Sequence, residues 1–221
     1  MILNINDYEN FMFDCDGVIL DSNNLKTDIF SEVLKDETKE IREQFIKYHL
    51  LNTGVSRYEK FTNFFKDIKK QKNFEDDLSI LLKNFSNLLV KNLLTCQVTK
   101  KAREFLEKIK SNNKNVYMVS ASDENELIHV LRKRKLDIYF DRILGSPRNK
   151  IENINLLKKI FSIEGESIFF GDSKSDFLAS QYHQFKFIYM KRYSLWAVPD
   201  EIRSNILFKE VGDFSEIDLI E

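Results

Sequence analysis

Two aspartates separated by one residue, Asp14 and Asp16, follow the apolar run Phe11-Met12-Phe13 in the segment FDCDGVILDS. A carboxylate that closes an apolar strand is desolvated on one side and held in place. Asp14 is therefore placed to attack an electrophile such as phosphorus and form an aspartyl-phosphate. Asp16 is placed to protonate a leaving oxygen and then to activate water. An ordinary Asp titrates near pH 4, so only about one in a thousand is protonated at pH 7. The acid role thus requires a raised pKa in the substrate complex. Cys15 lies between them and alternates to the other side of the chain, as core filler. The competing interpretation of this segment is a polar turn built on Asp and Gly.

A second acidic pair closes the apolar run Ile168-Phe169-Phe170, in IFFGDSKSDFLAS. Asp172 and Asp176 bracket a helix start, where Asp172 or Ser173 could cap it and Asp176 could stabilise its first turn. Capping alone leaves the recurrence of acidic strand ends unexplained. Two like charges about 4 Å apart repel by roughly 4 kcal/mol at an effective dielectric of 20. Four carboxylates in one crevice therefore call for a cation, and an all-oxygen set with room for water and phosphate suits Mg²⁺. Two further strand ends carry polar groups. Ser120, in VYMVSASDENEL, can hold a phosphate oxygen, and Ser122 is the expected N-cap of the next helix. In ILGSPRNKIENINLL both Arg148 and Lys150 could bind a phosphate dianion; Lys150, at the helix start, is favoured and Arg148 is expected to be exposed.

These side chains need a scaffold that brings strand ends together. Strands are expected at 11–14, 116–119, 142–144, 168–170 and 185–190, with helices at 102–109, 123–135, 150–161 and 174–183 between them. That alternation predicts an α/β fold, a Rossmann-like parallel sheet flanked by helices. Ligands of such sheets bind beyond the carboxyl ends of the strands. Between Ser22 and Thr95 the apolar spacing is helical, with room for about four helices and no convincing strand. Residues 1–21 and 96–221 are thus expected to form the core, and 22–95 an inserted α-helical cap. Within that insert, TGVSRYEKF places a Gly54 turn before Ser56 and Arg57 at a helix start. Arg57 could read a carboxylate or second phosphate of a substrate, with Lys60 assisting; its bland alternative is an exposed surface arginine.

The four polar strand ends resemble, in order and rough spacing, the four motifs of the haloacid dehalogenase (HAD) superfamily. The insert is similar to the helical cap of its phosphoglycolate phosphatase and β-phosphoglucomutase branch. The resemblance implies Asp14 as nucleophile and metal ligand, and Asp16 as general acid/base whose backbone carbonyl also binds the metal. It implies Ser120 and Lys150 as phosphate-binding residues, Asp172 and Asp176 at the metal site, and Arg57 in the cap as a substrate reader. In that branch the lysine commonly sits in Lys-Pro-x-Pro, whereas Lys150 follows Ser-Pro-Arg-Asn. The presence of Asp16 favours phosphoryl chemistry over dehalogenation. The expected activity is Mg²⁺-dependent hydrolysis of a small phosphorylated metabolite, a sugar phosphate in preference to phosphoglycolate. A phosphomutase and a catalytically silent phosphate- or partner-binding protein are the alternatives.

The bulk composition agrees with a globular enzyme. Of 221 residues, 43% are hydrophobic and 31% charged, with a net charge of −1, so no global field favours nucleic acid or an anionic membrane. Cys15 and Cys96, and the three histidines, have neither disulfide-framework nor zinc-ligand spacing. MILNINDYEN lacks the pattern of a signal peptide, and no apolar run approaches a membrane span. A cytoplasmic monomer or weak homodimer, without nucleic-acid or membrane partners, is the expectation.

Overall fold

The computed structural model describes residues 1–161 and 163–221. The first strand, β1 (Ile2–Asn4), precedes β2 (Asn10–Phe13), which carries Asp14 at its carboxyl end. Four helices follow without an intervening strand: α1 (Asn23–Val33), α2 (Lys39–Leu51), α3 (Arg57–Asn63), extended by a π-helical turn at Phe64–Ile68, and α4 (Glu75–Leu93). Alternation then begins with α5 (Ala102–Ser111), β3 (Asn115–Asp123), α6 (Glu124–Lys133), β4 (Arg142–Ser146) and α7 (Lys150–Phe161). It continues through β5 (Ser167–Gly171), α8 (Lys174–Tyr182), β6 (Lys186–Met190), α9 (Asp200–Arg203), β7 (Phe208–Val211) and β8 (Asp218–Ile220).

Six strands form one parallel sheet in the order β4-β3-β2-β5-β6-β7, and β1 pairs separately with β8. Side chains alternate across the sheet, and both faces are covered. Phe11, Phe13, Met118, Phe170 and Ile188 pack on one face; Met12, Tyr117, Val119, Phe169 and Phe187 pack on the other. Double burial is why these strands read as continuous apolar runs. Strand β2 lies between β3 and β5, so the chain reverses its direction of travel across the sheet there. That switch point opens a crevice beyond the carboxyl ends of β2 and β5.

The helical insert has an aromatic interior. Phe45 stacks on Phe61 at 5.7 Å between ring centroids, and Phe30 meets Phe45, Phe61 and Phe85 at 5.4, 5.3 and 4.4 Å. Its apolar contacts run on into the face of the sheet that carries Phe13. The two connections between insert and sheet are tied to each other. Asp21 N–H donates to the Gln97 carbonyl and Thr99 N–H to the Ile19 carbonyl, both at 3.0 Å, around an antiparallel bridge between Leu20 and Val98. Among the described residues no helix is long and apolar enough to cross a membrane.

Strands β1, β7 and β8 lie outside the expected set. They have three or four residues each, too few to display a period of two, and β7 is an edge strand.

Candidate active site

The carboxylates of Asp14, Asp172 and Asp176 each offer an oxygen within 4.8 Å of the others, and all three residues are buried. The sheet explains the convergence: β2 and β5 are paired neighbours with Phe13 beside Phe170, so Asp14 and Asp172 emerge from adjacent strand ends, offset by one residue. Asp176 follows one helical turn later. Its Oδ2 accepts from the backbone N–H groups of Asp172 and Ser173 at 3.2 and 3.0 Å, and from Ser173 Oγ at 2.6 Å. Ser173 caps α8, so the capping interpretation and the cluster both describe these residues. Gly17 has a left-handed φ of 72°, and a Cβ there would collide with the Asp172 carboxylate.

Lys150 inserts its ammonium between Asp14 Oδ2, at 2.7 Å, and Asp176 Oδ1. Arg148 turns away, to Glu124 at 2.6 Å and Asn153 at 2.8 Å. One buried cation among three buried carboxylates leaves two negative charges uncompensated. Burial raises Asp14 to about 6, against the opposing pull of Lys150 and with added repulsion from Asp176 and Asp16. Asp172 is pushed well above its ordinary value by burial, then by Asp14 and Asp176. A divalent cation fits this excess charge and this all-oxygen donor set.

Asp16 faces a different set of partners, so the four expected carboxylates divide three and one. Its Oδ1 accepts from Ser22 Oγ at 2.5 Å; its Oδ2 accepts from Ser122 Oγ at 2.9 Å and from Lys26. Burial alone would raise its pKa, but the Lys26 ammonium and the two hydroxyls more than offset this and hold it below the ordinary value. Ser122 is therefore a site residue and not the expected helix cap. Asp123 caps α6 instead, its Oδ1 accepting from Glu126 N–H at 3.1 Å. The reason is a register shift between β3 and β4 beyond Val119, which prolongs the strand to Asp123. Ser120 is buried, and its Oγ accepts from Ser122 N–H at 3.2 Å, which shapes the strand end that carries Ser122.

Arg57 is 9% exposed, contrary to the surface alternative. It forms a two-pronged ion pair with Glu126 of α6, with N–O distances of 2.7 and 2.6 Å. Beside it, Tyr58 donates to Asp123 Oδ2 at 2.7 Å, and Ser175 Oγ donates to the Gly54 carbonyl at 3.0 Å. The left-handed Gly54 lies so close to Ser173 and Ser175 that any Cβ would collide with them. The insert is thus drawn down onto the strand ends. The cavity there is about 70 Å³, lined by Asp14, Asp16 and Asp172 from the strand ends and by Arg57, Lys60 and Phe85 from the insert.

Sequence reasoning missed Lys26 and Asn23, both in the first turn of α1. Asn23 Nδ2 donates to Asp172 Oδ2 at 2.6 Å and to the Tyr193 carbonyl at 2.8 Å. One signal for Lys26 was present: a cation near a helix N-terminus opposes the macrodipole and needs another reason to be there.

Comparison with known proteins identifies the family. The family model for haloacid dehalogenase-like hydrolases matches residues 11–190. Among solved structures, a predicted phosphoglycolate phosphatase from Haemophilus somnus is 16% identical, with a TM-score of 0.74 over 95% of this chain and 96% of that one. YfnB from Bacillus subtilis, assigned as a HAD-hydrolase and solved bound to magnesium, is 18% identical, with a TM-score of 0.67 over 95% and 96%. CbbY from Rhodobacter sphaeroides, solved as a D10N mutant with xylulose-(1,5)bisphosphate, is 12% identical, with a TM-score of 0.75 over 96% and 97%. No curated protein matches the sequence. The matched segment spans both acidic strand ends and the insert between them, and the chain belongs to the haloacid dehalogenase-like hydrolases.

Proposed function

We propose that this chain is a Mg²⁺-dependent phosphatase that hydrolyses a small phosphorylated metabolite, a sugar phosphate in preference to phosphoglycolate, with the helical insert as its cap. The observation that carries the proposal is the division of labour between Asp14 and Asp16. Asp14 sits in the charged cluster with Lys150, while Asp16, two residues on, has its own cation and two hydroxyls. A single-step acid or a passive anion site has no use for two carboxylates in such different surroundings.

In this scheme Asp14 attacks phosphorus and forms the aspartyl-phosphate as the bond to the leaving oxygen breaks. Asp16 gives that oxygen its proton, then takes one from the water that attacks the phosphoryl group. Inorganic phosphate departs and Asp14 is restored. Lys150 holds the transferring phosphoryl group, assisted by Ser120 and the strand end that follows it. Asp14, Asp172 and Asp176, with the Asp16 backbone carbonyl, are the residues that would hold Mg²⁺. When bound, the ion would offset the surplus negative charge and stabilise the developing phosphoryl charge.

Lys26 gives Asp16 a task-specific setting. With Lys26 bound, Asp16 is an anion; a substrate that draws the ammonium toward its phosphoryl oxygens leaves Asp16 in a drier site, where its pKa rises. The test is free-phosphate release from a panel of phosphorylated metabolites, with Mg²⁺ and with EDTA. Release only with the metal supports the proposal. Isomerised product without free phosphate would make the enzyme a mutase, and no turnover with any substrate would leave a binding protein.

A further inference from the structure

Lys60 is a cation without a counter-ion. It is 3% exposed, it lines the same cavity as Asp14, and among the described residues no carboxylate lies within 4.0 Å of its ammonium. The other two cations that line the cavity are paired, the half-buried Lys26 with Asp16 and the buried Arg57 with Glu126; Lys150, outside the lining, is paired with Asp14 and Asp176. A buried ammonium is costly unless an opposite charge meets it.

The ammonium is held in place by a directed chain of hydrogen bonds. Lys60 Nζ lies 2.9 Å from His49 Nδ1, His49 Nε2 lies 3.0 Å from Thr27 Oγ1, and Thr27 Oγ1 donates to the Asn23 carbonyl at 3.1 Å. Thr27 has one hydroxyl proton, and it goes to Asn23, so His49 Nε2 donates to Thr27 and Nδ1 accepts from Lys60. His49 stays neutral: burial, then Lys60 and Lys26, hold it down to about 2. This chain uses one of the three ammonium hydrogens and fixes the direction of the rest. Phe30 lies beneath, its ring centre 5.6 Å from Nζ. Burial, then Lys26, lowers Lys60 to about 7, and an anion beside it would raise that value.

We propose that Lys60, oriented by His49, is an anion-recognition site in the cap, and that the substrate is a phosphomonoester with a second anionic group, a carboxylate or a second phosphate. This rests on the phosphatase reading and narrows its substrate class. It also moves the recognition role from Arg57, whose two terminal nitrogens are engaged by Glu126, to Lys60. The reacting phosphoryl group lies at Asp14 and Lys150, and the second anion spans the cavity to the ammonium.

The experiment compares matched pairs: 2-phosphoglycolate with 2-hydroxyethyl phosphate for the carboxylate, and 1,3-propanediol bisphosphate with its monophosphate for the phosphate. Each is assayed for kcat/KM with Mg²⁺, in the native enzyme and in Lys60→Met. The native enzyme should favour at least one doubly anionic member by about 10- to 150-fold, the range of a charged hydrogen bond. Lys60→Met should bring that ratio close to one, with no loss of Tm. The pair that shows the preference identifies the second anion. A native ratio near one for both pairs, or a ratio that survives Lys60→Met, overturns the proposal. Calorimetric binding of the same pairs to the Asp14→Asn protein with Mg²⁺ gives the ratio without turnover. Absence of hydrolysis therefore defeats the phosphatase reading alone, and equal binding within each pair defeats the Lys60 assignment.

Discussion

Replacing Glu126 by Gln keeps the shape of the side chain and removes the charge that Arg57 grips across the cap-to-core boundary. The two N–O distances of 2.7 and 2.6 Å mark a charge-assisted pair, and the side chains are 8% and 21% exposed. At an effective dielectric of 20, opposite charges about 4 Å apart attract by roughly 4 kcal/mol. Water at Glu126 trims this, and Gln can still accept one hydrogen bond. Asp123, 4.0 Å from the guanidinium, supplies partial compensation. About 2–3 kcal/mol remains, and it falls on the closed state, because an opened cap lets Arg57 reach water. The ratio of closed to open molecules should then drop by about 30- to 150-fold. Glu126→Gln should raise the radius of gyration in small-angle scattering and expose the 52–56 segment to limited proteolysis. Arg57→Ala should act in the same direction, and the double variant should be no worse than either single one. If scattering, proteolysis and kcat/KM all stay within twofold of the native enzyme, the pair does not hold the cap down.

Asp14→Asn should lower turnover by about three orders of magnitude or more without loss of Tm, as removal of a nucleophile does; a tenth of native activity at saturating substrate would exclude Asp14 from that role. EDTA should stop hydrolysis and Mg²⁺ restore it, with Ca²⁺ a poor substitute because it prefers more ligands at longer distance; full activity in metal-free buffer would refute this. Lys26→Met should move the alkaline limb of the pH–rate profile upward while lowering its maximum, since Lys26 is what holds Asp16 down; an unmoved limb would separate Lys26 from Asp16. Lys60→Met should raise stability at neutral pH. The folded state keeps that proton only up to about pH 7, and the ordinary value is 10.5, so native stability climbs as pH rises between them. The gain should be about 1–3 kcal/mol at pH 7, after loss of the His49 hydrogen bond, and should shrink toward pH 10. Chemical denaturation at several pH values reads it directly.

What could be seen in the sequence was local. Phe11-Met12-Phe13 followed by Asp14, and Ile168-Phe169-Phe170 followed shortly by Asp172, announce buried strands with polar ends, and parallel pairing does the rest. The helical spacing of Phe61, Phe64 and Phe65 likewise needs only neighbours to be recognised. What was not legible depends on which surfaces meet. Nothing around Lys26 names Asp16 as its partner, and nothing around Arg57 names Glu126, 69 positions away. The same blindness misplaced the cap of α6: Ser122 and Asp123 are equally good N-cap residues, and the choice was made by a register shift against another strand. His49 reads as an ordinary helix residue until the fold sets it between Lys60 and Thr27.

The ladder between Asp21 and Gln97 and between Ile19 and Thr99 has a mechanical consequence. A body on a single tether can swing and roll about every axis, and each closure must search for its seat. Two tethers zipped together act as a door hinge, with one soft rotation and stiff resistance to twist and slide. For an insert that opens and closes on such a hinge, the search on closing would be one-dimensional and little orientational entropy would be surrendered. Gly54 would then meet Ser175, and Arg57 would meet Glu126, in the same register at each closure. A glycine pair inserted on one side of that ladder would leave every contact residue in place, yet convert a hinge into a leash.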